Sequence, residues 1–115
     1  MRRKDREVTE LSQLEEIIRK CDCIHLGLLD GDYPYVVPMN FGYERTGDQF
    51  TFYMHAASEG KKLELIKAHP QASFCMDTGH ELVKGEAPVE FPDEMMHRVV
   101  ILKLNAKNLT GKQHK

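Results

Sequence analysis

The residues best suited to chemistry are Gly60, Lys61 and Lys62, inside the run ASEGKKLELIKAHP at 57–70. Ser58 stands where a helix N-cap is expected, Leu63, Ile66 and Ala68 follow at roughly helical spacing, and Pro70 stops the helix just after His69. Such a helix start gathers free backbone N–H groups, the positive end of the helix dipole and two ammonium groups, which is what a dianionic phosphate monoester needs. The same lysines also suit the solvated face of an ordinary surface helix. The run is not a P-loop, because Lys62 is followed by Leu63 rather than by Ser or Thr.

A second stretch could meet the flat part of such a ligand. The segment YPYVVPMNFGY at 33–43 carries Pro34 and Pro38, which cannot donate to a sheet ladder. It is therefore expected at a sheet edge, at a bulge, or where something other than a strand faces the backbone. Pro38 and Met39 offer an apolar floor, and the Asn40 amide a donor and an acceptor. A bulged edge strand without a ligand fits the residues equally.

Metal chemistry is not supported. Cys21, Cys23 and Cys75 are odd in number, the first two form C-x-C, and no histidine stands at ligand spacing with a cysteine. His80-Glu81 lacks the second histidine of a zincin. The cysteines read as small buried apolar residues.

These residues need a frame. Leu11, Leu14, Ile17 and Ile18 share one helical face, with the start at Thr9 or at Ser12, where Ser12 and Glu15 could form a capping box. Residues 23–29 alternate Ile24, Leu26 and Leu28 against Cys23, His25 and Gly27, before a tight Asp30-Gly31-Asp32 turn. Phe50, Thr51, Phe52 and Tyr53 open a strand closed by His55. Further strands are expected at 72–76 and 98–104, with one beginning at 81–83. Gly85 to Pro88 and Phe91-Pro92-Asp93 read as breakers, and 94–97 as a helical turn. Hairpin-linked, mostly antiparallel strands with two marginal helices predict a mainly β fold, a small barrel with flanking helices.

The 115 residues carry 41% hydrophobic and 30% charged side chains and a net charge of -2, which describes one domain without a general pull toward nucleic acid or anionic lipid. A core this small favours a ligand pocket shared across a dimer. No run is long enough to span a bilayer, and no apolar stretch follows Arg2, Arg3 and Lys4, so a cytoplasmic protein without membrane partners is expected.

The segments MRRKDRE, VPMNFGY, FYMHAASEGKKL, HELV and NLTGK, in that order along nearly the whole chain, resemble the nitroimidazole-resistance branch of the pyridoxamine 5'-phosphate oxidase-like flavoproteins. The resemblance implies an FMN-binding split β-barrel of Greek-key-like, antiparallel build, forming a homodimer with FMN at each of two interface sites. Carried over by residue, Val37, Pro38, Met39 and Asn40 would line the isoalloxazine and ribityl chain, Tyr53, Met54 and His55 the strand beside it, and Lys61 and Lys62 the phosphate. It implies an FMN-dependent oxidoreductase passing electrons to nitroimidazole-type or other small oxidised compounds, with His55 either a proton donor or a strand-end residue bonded to backbone. A non-catalytic flavin module, or a barrel for another planar cofactor such as a deazaflavin or haem, stays open. One departure stands out. Relatives continue after HELVKGEAP with a further strand and helix, whereas here Pro88 is followed directly by Val89-Glu90-Phe91, so a segment usual in the family is expected to be missing at that point.

Overall fold

A computed structural model describes residues 7–8, 10–91 and 99–113. In chain order the elements are β1 (Glu7–Val8), α1 (Leu11–Lys20), β2 (Cys23–Leu28), β3 (Tyr35–Asn40), β4 (Gly42–Thr46), β5 (Gln49–Ala57), α2 (Lys61–Ala68), β6 (Gln71–Thr78), β7 (Glu81–Glu90), β8 (Val99–Asn105) and β9 (Lys107–Gln113). Every pairing is antiparallel, in the order β3-β2-β6-β7-β8-β5-β4, with β9 joining β7 to β1. The two ends of that order, β3 and β4, are consecutive in the chain and separated only by Phe41. That link draws the sheet's ends together, and the sheet curls into a split barrel flanked by two helices.

Period-two alternation decides what fills the barrel. Ile24, Leu26 and Leu28 of β2, Phe50, Phe52 and Met54 of β5, Phe74 and Met76 of β6, and Val100, Leu102 and Leu104 of β8 are all buried. Phe52 is the hub, its ring meeting Phe74 edge-on at 5.3 Å and Phe41 at 5.8 Å. Burying each such ring contributes about 1.5–3 kcal/mol. The helices add Leu14, Ile17 and Ile18 from α1 and Leu63 and Ile66 from α2.

Several local expectations are revised. The segment 33–43 is two strands rather than one, because the chain turns a corner at Phe41. Its proline-bearing half, β3, pairs among the described residues with β2 alone and lies at the end of the sheet order, where proline is tolerated. The capping box of Ser12 and Glu15 does not form. Glu10 holds the N-cap without a side-chain bond, and Glu15 instead accepts from Tyr43 and Arg45. Of the cysteines only Cys21 is fully buried, while Cys23 and Cys75 are half-buried.

Gly85 to Pro88 do not break β7. A bulge between Lys84 and Glu86 absorbs the irregularity, and a Cβ on Gly85 would stand 2.9 Å from Phe74 Cζ and 3.1 Å from the Lys107 carbonyl oxygen. Glycine is there to admit its neighbours. Pro88 occupies the last rung with β6, opposite Gln71, just before Val89 and Glu90 turn to β8, so its absent N–H falls where the strand changes partner. β7 runs unbroken through Pro88 and Val89. The helical turn expected at 94–97 lies outside the described residues.

Candidate functional site

β5 runs two residues beyond His55, to Ala57, and α2 begins four residues later, at Lys61. The cap is Gly60 and not Ser58. Gly60 has φ 127°, a conformation L side chains rarely adopt, while a Cβ there would meet nothing within 4 Å. Backbone geometry, not room, therefore requires the glycine. No side chain caps the helix, and the first intrahelical bond runs from the Glu64 N–H to the Gly60 carbonyl at 3.2 Å. The amides of Lys61, Lys62 and Leu63 are thus left over by the helix ladder.

The two sides of this helix end differ in charge. A hollow of about 420 Å³ on one side is lined by Ser58, Glu59, Gly60, Leu63, Glu64 and Lys67, and its two carboxylates repel an anion. Lys61 belongs to the other side. Its Nζ lies 2.8 Å from Asp30 Oδ2 in the turn between β2 and β3, and 5.8 Å from the centre of the Tyr35 ring at the start of β3. The hydrogen bond to Asp30, with that residue's charge, holds the Lys61 ammonium above the usual lysine range. Lys62 is half-buried beside it. The cationic face of the corner is therefore the one toward β3.

Alternation then sorts the remaining candidates. On β3, Pro38 and Asn40 face outward, Val37 is half-buried against the core, and Met39 is buried in it. On β5, His55 is exposed, Tyr53 is half-buried and Met54 is buried at 2% exposure. Met39 and Met54 thus offer an outside ligand their backbone and not their side chains. Tyr53 donates to Glu44 Oε1 at 2.6 Å, which raises its phenol above the ordinary tyrosine value. His55 stands opposite Ile101 of β8, and two rungs on Ala57 pairs with Val99.

β3 and β5 touch, and the N-terminus of α2 meets the start of β3 through Lys61 and Tyr35. A further cleft of about 570 Å³ borders β3 at Val36 and includes His25, Cys75 and Asp77. No group of three metal-ligating side chains occurs among the described residues. Asp30 and Tyr35 escaped the sequence reading, because a turn aspartate and a strand tyrosine carry no signal of a lysine about thirty residues away that only the fold brings to them.

The donor set fits a phosphate monoester, with unused backbone amides, the Lys61 ammonium at the start of β3 and the half-buried Lys62 next in the chain. Comparison with known proteins agrees with this architecture. Among solved structures, a putative 5-nitroimidazole antibiotic resistance protein from Bacteroides thetaiotaomicron superposes with a TM-score of 0.79 at 25% identity, over 92% of this chain and 85% of its own. A FAD-binding protein from Mesorhizobium loti gives 0.78 at 16% identity, over 96% and 98%. A heme storage protein from Vibrio cholerae gives 0.70 at 10% identity, over 91% and 96%, a likeness of fold alone. No curated protein sequence matches. The family model described as pyridoxamine 5'-phosphate oxidase covers residues 10–114, and the chain belongs to that family.

Proposed function

We propose that this chain binds FMN and works as an oxidoreductase on small oxidised compounds, nitroaromatic rings among them, as a homodimer with the flavin between subunits. The observation that carries the reading is the Lys61 ammonium, held against Asp30 and the Tyr35 ring at the start of β3, beside the unused first-turn amides of α2. Lys61, Lys62 and the first-turn amides would hold the phosphate. Pro38 would give the ring an apolar support, with Asn40 and the backbone of Met39 supplying polar contacts along it, and Val37 fixing the strand to the core. Tyr53 and the backbone of Met54 would border the ring from β5.

FMN, when bound, supplies the two-electron chemistry. His55, exposed two residues before the end of β5, would serve as the proton donor to the reduced substrate. Exposed apolar side chains on the outer surface, Val36 at 65% and Val99 at 46%, favour a partner surface over bulk water. A second copy of the chain is the occupant proposed.

The test is direct. The purified protein is expected to be yellow, or to quench FMN fluorescence on titration with one flavin per chain, and its reduced flavin to be reoxidised by a nitroimidazole faster than free reduced FMN. A colourless protein with no effect on FMN overturns the flavin reading, and a Soret band in place of flavin absorption replaces it with haem. Flavin binding without accelerated reoxidation removes only the enzyme assignment.

A further inference from the structure

Lys61 already has an anion. The Asp30 carboxylate 2.8 Å from its ammonium sits in the turn before β3, with side-chain exposures of 60% for Lys61 and 30% for Asp30. The main-chain bond that closes the turn, the Tyr33 N–H donating to the Asp30 carbonyl at 3.1 Å, does not use that charge. A carboxylate beside the cation that is to receive a phosphate works against binding through direct repulsion and through competition for the same N–H donors.

We propose that Asp30 is an internal counter-anion that occupies the phosphate corner of the free protein and sets its affinity for phosphorylated flavins. This rests on the reading of the corner as the phosphate end of a flavin site. With Asp30 in place, Lys61 is kept over the Tyr35 ring, on the β3 side, rather than free to swing toward Glu59 and Glu64. An exposed pair of this kind is worth little in itself, so a dianionic phosphate monoester can displace it while a neutral hydroxyl cannot. Asp30 therefore lowers affinity for FMN and leaves riboflavin, which ends in that hydroxyl, unaffected. It acts on selectivity between the two and touches no reacting atom.

The experiment titrates FMN and riboflavin separately into the wild-type chain, Asp30→Asn, Asp32→Asn, Lys61→Ala and the double variant Asp30→Asn with Lys61→Ala. Asn suits the turn as Asp does, and Asp30→Ser serves if the first variant does not fold. Asp30→Asn is expected to tighten FMN by about threefold to tenfold, the range set by one released exposed pair and one removed repulsion. Riboflavin affinity stays the same, and the FMN gain disappears when Lys61 is also alanine. Asp32→Asn removes an equal charge two residues away and is expected to change FMN affinity by less than about twofold. An FMN affinity that is unchanged or weaker in Asp30→Asn, a gain that survives loss of Lys61, or an equal gain in Asp32→Asn each overturns the proposal. If the wild type binds FMN and Asp30→Asn makes no difference, only this inference falls. If none of the chains binds a flavin, the flavin reading falls and takes it along.

Discussion

The two helices lie against the same barrel and both end in basic residues, but they differ in the cations at their starts. α1 has no acidic residue in its first turn and carries Arg19 and Lys20 in its last, where the helix dipole favours cations. Its outer face is tied down. Glu15 accepts from Tyr43 at 3.0 Å and from Arg45 at 3.0 Å and pairs with Arg19, while Lys20 reaches Glu81 at 2.8 Å. α2 is shorter, is capped by a glycine in an unusual conformation, and sets Lys61 and Lys62 at the end where the dipole disfavours them. Where charge placement agrees with the helix, the element serves stability. Where it opposes the helix, anions compensate, Glu64 in the same turn and Asp30 from the turn before β3 in the free protein, joined by a ligand phosphate in the proposed complex.

The contrast can be broken from the α1 side first. Ile17 is fully buried, and Ile17→Ala is expected to cost about 2–4 kcal/mol of stability, read from urea unfolding, with unchanged FMN affinity in the fraction that stays folded. A variant that binds FMN more weakly while equally stable would make α1 part of the site. Next, Lys61→Ala with Lys62→Ala is expected to weaken FMN by about tenfold to a hundredfold, as loss of charge-assisted bonds does, while leaving the urea midpoint almost in place. Equal affinity would reduce α2 to a second structural helix.

The smallest effect concerns pH. The bonds from Arg45 and Tyr43 hold the Glu15 carboxyl below the usual value of 4.5. A depressed folded value means that Glu15 stabilises the protein above the unfolded value and that this contribution is lost as pH falls through the folded one. Glu15→Gln should therefore be less stable than the wild type at neutral pH, with the gap closing as pH falls below the usual carboxyl value of 4.5. A gap that stays constant across that range would show that Glu15 acts through packing and not through its charge.

Much of this molecule could be read before folding was considered. Ile24, Leu26 and Leu28, and likewise Val100, Leu102 and Leu104, face inward because a strand's side chains alternate whatever lies around it. Pro34 and Pro38 left an edge, a bulge or a non-strand neighbour open for this segment, and the fold puts β3 at the end of the sheet order. Gly85 and Pro88 misled, because a bulge and a change of partner strand can accommodate them and neither is encoded locally. Ser58 misled as a cap for a related reason, since Gly60 takes a backbone shape that starts the helix later.

By itself the sequence determined the strand faces, the helix faces and the lysines at a helix start, because periodicity, backbone chemistry and charge act over a few neighbouring residues. The tertiary structure alone decided that Lys61 meets Asp30 and Tyr35, that Glu15 serves β4 rather than its own helix cap, and that Met39 and Met54 turn away from the outer flank. Those outcomes depend on which strands pair and where the sheet curls, and side chains far apart in the chain come into contact only once that closure has been made.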